Sequence, residues 1–495
     1  MEKHVAKKEW MAYAIGALGQ GMVYAIMSSY ISEILRRLMA YAKPYWKKFV
    51  LVLFLMLFAR IWDAVNDPIM GYIVDRSNPK NGKMRPYLIY TPIPIAILTV
   101  LLFYAPNLSG TQLMIYAGVT YVLWGMIYTA SDVPFWSLPN VMTPNPAERG
   151  DIISKAKTAN GVGSAVPMAI FMVLGFILPK FNLAGTELEK TKYMTIALIC
   201  AIFGNLLFIR VYFKSKERVN IPIPPKKAKN EPGALKLILA CKPLILTAIM
   251  GVLSSGRYMY QAGAVHVARY SFYIGKDLTG LSAAEQEAAL QSNISLVSTV
   301  FSVATAIGMF GTMLVMPLLF KKFNYKQIII STSVIGFASS LAIWFIGYEH
   351  FWACVPFLAL SCVPCGAINI CTAAMVGDCL DYMEWSTDKR LTGMGSAIQS
   401  FVNKLGNAVS TSFIVLMYMI VNLDVANISS KITANPLEMS EGIRTGMFSL
   451  VSLIPGISLL LCIIPLFFYD LVGEKKERIT KELEQQRKEK GIIIE

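Results

Sequence analysis

Long apolar runs recur along the whole chain, and short polar segments separate them. A run of about 20 apolar residues is long enough for an α-helix to cross the hydrocarbon core of a bilayer. The pattern therefore predicts an all-α integral membrane protein with twelve transmembrane helices. The twelve predicted spans lie at residues 10–36, 48–74, 87–106, 111–141, 152–178, 192–213, 236–274, 293–321, 327–347, 350–379, 391–422 and 441–470.

One long hydrophilic segment, rich in lysine and proline, lies between the sixth and seventh spans and divides them six and six. This division is typical of transporters that are built from two helical bundles around a central site. We expect two six-helix bundles, a cytoplasmic linker and a cytoplasmic tail. Their predicted boundaries are 1–213 for the first bundle, 214–235 for the linker, 236–472 for the second bundle and 473–495 for the tail.

Composition agrees with a membrane protein, since 55% of the 495 residues are hydrophobic and only 16% are charged. The formal net charge of +15 could indicate a nucleic-acid-binding protein. The cations lie instead between the spans and in the tail, where the positive-inside rule and anionic lipid account for them. They place both termini in the cytoplasm, although the first external loop is also basic. We expect a multi-pass protein of the plasma membrane that works as a monomer.

The cysteines and histidines do not predict a disulfide framework or a metal site. Most of the eight cysteines lie in or beside apolar spans, and the three histidines are dispersed. Cys362 and Cys365 have the spacing of a redox motif, but they lie in an apolar run without a βαβ pattern, which favours packing over redox chemistry.

The second span carries acidic and amide side chains within an apolar run from about Phe49 to Val74. Asp63, Asn66 and Asp67 share one face of a helix because they are three and four residues apart. An Asp inside a bilayer costs roughly 2.5–3.5 kcal/mol, so these carboxylates need a cation or a proton. The carboxylate and amide oxygens of these residues are suitable ligands for Na⁺. The pattern therefore predicts a binding site for a coupling ion. A structural pair with Arg60, one turn earlier, is the alternative.

A second polar face lies in the fourth span, where Tyr128, Asp132 and Trp136 are spaced four residues apart. A carboxylate next to an aromatic ring suits a sugar, because the carboxylate accepts hydroxyl hydrogens and the ring packs on C–H groups. An anchor at the membrane interface is the alternative. Lys404 lies well inside the eleventh span, where a buried lysine requires an acidic partner, unless its side chain reaches out to the interface.

Several segments resemble the glycoside–pentoside–hexuronide:cation symporters, the branch of the major facilitator superfamily that includes melibiose permease. The segments are RIWDAVNDPIMG at 60–71, VDR at 74–76, GKMRP at 82–86, YTASDVPFWSL at 128–138, GDCLDYME at 377–384 and SFVNKLG at 400–406. The resemblance implies the major facilitator fold. It also implies that the two carboxylates of the second span bind Na⁺, Li⁺ or H⁺, with Asn66 and Thr129 as neighbours.

The same resemblance places Lys404 at the junction of the cation and sugar sites, and Lys157 where family members carry a basic residue that contacts sugar. An anchor at the cytoplasmic end of the span is the alternative for Lys157. The sequence departs from the family pattern in the first span, where Gly21 replaces the acid that binds the galactoside in melibiose permease. We expect an altered sugar site with room for a bulkier glycoside, and Gln20 as partial compensation.

Charged residues at the cytoplasmic ends of helices are expected to form salt bridges that lock the two bundles in the outward-facing state and break on reorientation. These predicted gating residues are Asp75, Arg76, Arg85, Asp378, Asp381 and Glu384. The tail alternates glutamate and lysine, which predicts a short solvated helix.

Together these patterns predict a secondary active transporter that imports a sugar or glycoside by symport with Na⁺ or H⁺. A hexuronide is a possible substrate because Lys157 and Lys404 could bind a carboxylate. An exporter of drugs or lipids and an ion-independent sugar facilitator are the alternatives. We expect neither enzymatic activity nor a cofactor nor a nucleic-acid partner, since the sequence has no evident catalytic constellation.

Overall fold

A computed structural model of the chain provides the fold. It describes residues 4–42, 62, 66–77, 82–104, 110–178, 185–219, 234–275, 277–421 and 435–490. Within these ranges the regular structure is helical, apart from an isolated bridge at Val219. The chain therefore matches the predicted all-α class.

The helices of the N-terminal half precede the linker that was predicted from the sequence. They are α1 (Lys7–Ala42), α2 (66–76), α3 (Tyr87–Tyr90), α4 (Pro92–Phe103), α5 (Gly110–Ser137), α6 (Pro139–Met142), α7 (Pro146–Ile177), α8 (Gly185–Ile199) and α9 (Asn205–Lys214). A π-helical turn at Cys200–Gly204 joins α8 to α9.

The second half contains more interruptions within its spans. Its helices are α10 (Ala234–Ala240), α11 (Lys242–Leu253), α12 (Met259–Ala262), α13 (Ala264–Tyr270), α14 (Ala283–Leu319), α15 (Tyr325–Ile346), α16 (Phe351–Ser361), α17 (Val363–Thr387), α18 (Thr392–Ile420), α19 (Glu441–Ser449), α20 (Leu453–Leu461), α21 (Ile463–Phe467) and α22 (Gly473–Glu489). A 3₁₀ segment at Ser254–Tyr258 separates α11 from α12, and a shorter one lies at Pro436–Glu438.

Local sequence signals fix several helix ends. Asn145 caps α7 by accepting hydrogen bonds from the backbone N–H groups of Ala147 and Glu148, and Pro146 occupies the first helical position. Asn324 and Gln327 form a reciprocal capping box at the start of α15. These caps satisfy N–H groups that have no partner inside the helix.

Among the described residues, six helical segments are long and apolar enough to cross a membrane. They are Lys7–Met27, Lys190–Lys214, Ser292–Leu319, Tyr325–Ile346, Phe351–Thr387 and Glu441–Phe467. Large apolar side chains also point outward, including Phe345 at 80% exposure and Phe467 at 69%. Exposure of such apolar faces is unfavourable in water but not in lipid. The count of twelve spans stays a prediction.

Contacts between Cα atoms divide the chain into two units, which we call the N-terminal and C-terminal units. The N-terminal unit comprises residues 1–238, 380–401 and 478–495, and the C-terminal unit comprises 239–379 and 402–477. The N-terminal unit thus includes residues 380–401, which the sequence analysis assigned to the second bundle, and the end of the tail.

In the N-terminal unit, α1 packs along α7 and α9. Its core contains Tyr13, whose ring stacks on Phe135 with 4.6 Å between centroids and whose hydroxyl donates to the Phe135 carbonyl at 3.0 Å. In the C-terminal unit, α15 packs against α16 and α20, and Phe272 lies in a cluster of aromatic rings with Phe301, Phe351 and Phe448.

The tail helix α22 differs from the solvated helix that was expected. Its residues Ile479, Leu483 and Arg487 are buried. The three positions are four residues apart, so they form one stripe along the helix, while the remaining face carries the alternating charges. The prediction of a short solvated helix was wrong for this face, because the alternating charges on one side of the helix hide a short buried stripe on the other.

Candidate substrate and cation site

Helix α5 carries most of the predicted site. Tyr128, Asp132 and Trp136 lie one turn apart on one face, and Thr129 lies on the adjacent face. Tyr128 and Thr129 are buried, whereas Asp132 and Trp136 are half-buried. The polar groups of this helix are therefore sheltered and yet remain reachable for a ligand.

Asp132 is the centre of the predicted sugar site. Its Oδ1 atom accepts a hydrogen bond from Gln20 Nε2 at 2.6 Å and one from Trp136 Nε1 at 3.1 Å. The Lys157 ammonium lies 3.7 Å from the centroid of the Trp136 ring, a close cation–π contact. The structure thus brings together four residues that were predicted separately from three different spans.

Tyr128 extends this group. Its ring stacks on Trp124 with 4.7 Å between centroids and 9° between planes. Its hydroxyl interacts with both Asp132 and Gln20. Fixed aromatic rings around a hydrogen-bonded carboxylate form a preorganised surface for a polyhydroxylated ligand.

The predicted cation site lies where α2 meets α5. Asp67 is 1% exposed, and its Oδ1 atom accepts a hydrogen bond from Thr129 Oγ1 at 3.0 Å. Asn66 is also buried, and its Nδ2 atom makes no hydrogen bond to a described residue. Asp63, the second predicted carboxylate, lies outside the described residues. Within the described ranges no group of three or more His, Cys, Asp or Glu side chains could hold a metal ion.

A buried carboxylate in a membrane helix requires a compensating positive charge or a proton. The hydroxyl of Thr129 supplies one hydrogen bond, and its oxygen can also act as a ligand of a hard cation. Thr129 and Asp132 are three residues apart on α5, so the predicted cation and sugar sites are one helical turn apart. The donor set of Asp67, Thr129 and Asn66 fits Na⁺ or a proton.

Gly21 does not line the sugar site. A Cβ atom at this position would lie 2.1 Å from the backbone oxygen of Asn160 on α7, so α1 and α7 approach each other closely here. The expectation that Gly21 makes room for a bulkier substrate was wrong, because its missing side chain points into a helix–helix contact. Gln20, one residue earlier, is the residue that reaches Asp132.

Lys404, the predicted residue at the junction of the two sites, lies on α18 in the C-terminal unit and is half-buried. Its neighbour Asn403 accepts a hydrogen bond from Tyr258 at 3.3 Å. The role predicted for Lys404 stays a prediction.

Asp75 is buried and caps a helix. Its two carboxylate oxygens accept hydrogen bonds from the backbone N–H groups of Gly393 and Met394, at 2.8 and 2.9 Å. Both belong to the first turn of α18, where the helix dipole favours a negative charge. Gly71 permits the approach, since a Cβ atom there would lie 2.7 Å from the Gly393 oxygen. Asp75 was predicted to form a salt bridge, but in the structure it accepts these backbone hydrogen bonds.

The two predicted gating arginines of the first half have no carboxylate partner for their guanidinium groups among the described residues. Arg76 is exposed and stacks 4.6 Å from the ring centroid of Tyr72, one turn earlier. Arg85 donates from Nη2 to the Tyr212 carbonyl at 2.7 Å and so caps the C-terminal end of α9. Its backbone N–H donates to Glu217 at 2.9 Å.

Asp381 and Glu384 lie in a buried cluster of charges within the N-terminal unit. Asp381 pairs with Arg149 at 2.8 Å, with Arg487 at 3.0 Å and with Arg390. Glu384 pairs with Arg390 at 2.8 Å and with Arg487 at 2.5 Å. Burial opposes the charge on Arg487, but hydrogen bonds to Glu384 and the nearby Asp381 carboxylate hold the pKa of its guanidinium above the usual value.

The sequence pattern predicts the two acids of this cluster but not its three arginines. Arg149 lies in the first turn of α7 and Arg390 in the loop before α18, each beside other charged residues in the sequence, so nothing in the local pattern distinguishes them. The stripe of α22 could have indicated Arg487. Asp378, the remaining predicted gating residue, forms an ion pair of 2.5 Å with Lys476 in the C-terminal unit.

Several known proteins that are similar to this chain are named as transporters or carriers. A putative glycoside/cation symporter of Escherichia coli (strain K12) is 26% identical over 445 residues, covering 89% of this chain and 88% of that protein. The glucuronide carrier protein homolog of the same strain is 24% identical over 447 residues, again covering 89% and 88%.

The crystal structure of the E. coli fucose:proton symporter shares the fold, with a TM-score of 0.62 at 11% identity, and covers 94% of this chain and 98% of that one. This similarity confirms the predicted major facilitator fold, and the relatives confirm the predicted resemblance to glycoside–pentoside–hexuronide:cation symporters. Because the family model described as MFS/sugar transport protein matches residues 12–473, the chain belongs to the MFS/sugar transport protein family.

Proposed function

We propose that the protein is a secondary active transporter that imports a sugar or glycoside together with Na⁺ or H⁺ by alternating access. The observation that carries the proposal is the pair of polar groups on neighbouring turns of α5. Thr129 bonds to the buried Asp67 carboxylate, and Asp132 lies between Gln20 and Trp136. A cation bound at the first group and a sugar bound at the second would be separated by a single turn of α5, so each could affect binding of the other.

The cation site in this proposal consists of Asp63, Asp67, Asn66 and Thr129. Two carboxylates, an amide carbonyl and a hydroxyl supply oxygen ligands for Na⁺, and Li⁺ fits the same donors. If H⁺ is the coupling ion, one of the two carboxylates carries it instead. Either choice neutralises the charge that burial makes costly.

The sugar site consists of Asp132, Trp136, Tyr128, Gln20 and Lys157, with Lys404 as a further contact. Asp132 would accept hydroxyl hydrogens, and the rings of Tyr128 and Trp136 would pack on the apolar face of the sugar. A hexuronide is a second candidate substrate. The Lys157 ammonium next to this site and the name of the glucuronide carrier homolog favour it.

We also propose that the protein works as a monomer in the plasma membrane, with both termini in the cytoplasm, and that it needs no cofactor. The excess of lysine and arginine in the loops that would face the cytoplasm supports this orientation. As a carrier it would move its substrate unchanged, without chemical conversion.

The test is uptake of radiolabelled sugars into vesicles that contain the purified protein. A panel of glycosides, pentosides and hexuronides is offered with an inward Na⁺ gradient, with an inward H⁺ gradient and with neither. We expect accumulation of at least one sugar above equilibrium with one of the gradients. Uptake that only equilibrates the sugar identifies a facilitator, and extrusion of an apolar drug or lipid without sugar uptake identifies an exporter.

A further inference from the structure

A cavity of about 280 Å³ lies between the tail helix α22 and the loop 144–146 that precedes α7. All of its lining residues belong to the N-terminal unit, and none of them belongs to the predicted cation site or the predicted sugar site. The volume is close to the lower end of the range for small-molecule sites. The cavity therefore has room for a small metabolite.

One face of α22 forms a wall of the cavity. The four lining residues of this helix, which are spaced three and four positions apart, are Thr480, Leu483, Glu484 and Arg487. The helix is fixed beside the end of α17, because the indole N–H of Trp385 donates to Glu482 at 2.7 Å and Lys490 pairs with Asp388 at 2.6 Å. The wall that α22 contributes is thus held in place from the side.

Arg487 presents an unused donor to the cavity. The residue is only 3% exposed. Its Nε atom donates to Glu384 at 2.9 Å, and its Nη2 atom donates to Glu384 at 2.5 Å and to Asp381 at 3.0 Å. Its Nη1 atom makes no hydrogen bond within the part of the chain that the structure describes. Because Arg487 lines the cavity, the two N–H groups on Nη1 can donate to a ligand there.

His4 supplies a second donor on the opposite side. Its backbone N–H donates to Glu148 at 3.1 Å, which fixes the residue next to α7. The residue is exposed, and its ring makes no hydrogen bond to any residue in the described ranges. An imidazole carries at least one N–H donor in either protonation state. The cavity therefore lies between a fixed guanidinium and an imidazole.

The charges around the cavity favour an anion. Among the described residues, the ion pairs of the neighbouring buried cluster join three guanidinium groups to two carboxylates, so one positive charge is in excess. Two carboxylates line the cavity, and cations offset both. Asp381 belongs to the buried cluster, and Glu484 pairs with Lys488 at 3.2 Å.

We propose that this cavity binds a small soluble phosphomonoester, such as a hexose phosphate, through Arg487 Nη1 and the imidazole of His4. A phosphate monoester carries between one and two negative charges at neutral pH and has three strong acceptor oxygens. A guanidinium group is a preferred partner of phosphate. Six of the nine lining residues are polar or charged, so the wall suits a soluble molecule better than a lipid.

A bound phosphomonoester would also act on the buried cluster. A ligand that binds only when α22 is docked stabilises the docked arrangement by mass action. In this arrangement Arg487 contacts Asp381 and Glu384, two of the predicted gating residues. Any step of the transport cycle in which these acids separate from Arg487 would then become slower. This consequence rests on the proposed function, whereas the binding site does not.

Titration calorimetry with glucose 6-phosphate tests the site on the full-length protein in nanodiscs of phosphatidylcholine. We expect the wild-type protein to bind this probe. Arg487→Lys keeps the positive charge next to the two acids but loses Nη1, and His4→Ala loses the imidazole. Each should weaken binding by roughly tenfold or more, as for a lost charged hydrogen bond. His350→Ala and Lys481→Gln, which change exposed residues elsewhere, should leave binding unchanged.

Two further measurements locate the bound probe. Backbone hydrogen exchange of residues 478–489 should slow when glucose 6-phosphate is added to the wild-type protein, and should not slow in His4→Ala. Asp132→Ala, which alters the predicted sugar site, should bind glucose 6-phosphate as the wild-type protein does. Loss of binding in Asp132→Ala alone would place the probe in the sugar site and overturn the inference.

Other results would also overturn the site. They are no binding of glucose 6-phosphate by the folded wild-type protein, or equal binding by the wild-type protein and His4→Ala. His4 is exposed, so this variant decides the question even if Arg487→Lys does not fold. Loss of binding when the nanodiscs contain phosphatidylglycerol would identify a lipid headgroup as the occupant and overturn the assignment to a soluble molecule.

Uptake into vesicles tests the effect on transport. With glucose 6-phosphate on both sides of the membrane, the wild-type protein should accumulate its sugar several-fold more slowly, and His4→Ala should not respond. Equal rates with and without the phosphate would overturn the effect on transport. Failure of the wild-type protein to transport any sugar would overturn the proposed function and this effect with it, whereas titration and hydrogen exchange would still decide the binding site.

Discussion

Asp132 is the residue on which recognition of the sugar is expected to depend most. We expect Asp132→Ala to weaken sugar binding by about 1–3 kcal/mol, since a charged hydrogen-bond acceptor is lost, while cation affinity changes little. Isothermal titration with sugar and with Na⁺ measures both. Asp151→Ala is the matched control, because Asp151 is 40% exposed and pairs only on the surface with Lys155. Unchanged sugar affinity in Asp132→Ala would place the sugar site elsewhere.

The buried carboxylate of Asp67 on α2, together with the second predicted carboxylate, Asp63, leads to a second prediction at the same scale. Asp67→Cys and Asp63→Cys should abolish accumulation driven by the cation and leave sugar binding and exchange across the membrane partly intact. The reason is that coupling requires the cation, whereas contact between sugar and Asp132 does not. Vesicle uptake and counterflow separate the two activities. Normal gradient-driven accumulation in both variants would contradict the assignment.

At the residue scale the sequence predicted side chains that share a helical face and missed contacts between distant segments. Tyr128, Asp132 and Trp136 follow from the helical period alone. Their contacts with Gln20 and Lys157 depend on how α1 and α7 pack, which no short pattern encodes.

At the scale of helices, the approach of α1 to α7 explains why position 21 is a glycine. We expect Gly21→Ala to destabilise the protein by about 1–3 kcal/mol, since the added methyl group would overlap the Asn160 carbonyl. The change is measured as a lower midpoint of thermal unfolding in detergent. Gly311→Ala in α14 is the control, because a Cβ atom there meets no atom within 4 Å. Equal midpoints for the two variants would refute a tight contact.

The same contact gives a clear expectation for Gly21→Asp. The variant should not gain affinity for galactosides, since its carboxylate would point into α7 and not toward Asp132.

The existence and the order of the helices were predictable from the apolar runs in the sequence. Interruptions such as the 3₁₀ segment after Leu253 were not, because the hydroxyl of Ser458 that supports it comes from a distant part of the chain.

At the scale of the whole molecule, residues 478–489 of the tail helix are part of the structure of the N-terminal unit. Arg487→Gln removes a guanidinium from a buried cluster and leaves Glu384 with one fewer partner, which typically costs about 3–5 kcal/mol. We expect the tail to detach and become sensitive to trypsin under conditions in which the wild-type tail is protected. Lys488→Gln, at an adjacent site that is 68% exposed, should leave the protection unchanged. Equal protection in both variants would show that Arg487 does not hold the tail.

The short separation of Thr129 and Asp132 along α5 has a thermodynamic consequence. For two ligands that bind the same protein, the factor by which the cation raises sugar affinity must equal the factor by which the sugar raises cation affinity. Coupling of about 1–3 kcal/mol corresponds to roughly 5- to 150-fold, and titrations in both orders close the cycle. Thr129→Val should reduce both factors together. In a carrier with such linkage, the affinity for sugar falls when the cation dissociates. Dissociation of the cation into the cytoplasm would therefore trigger release of the sugar.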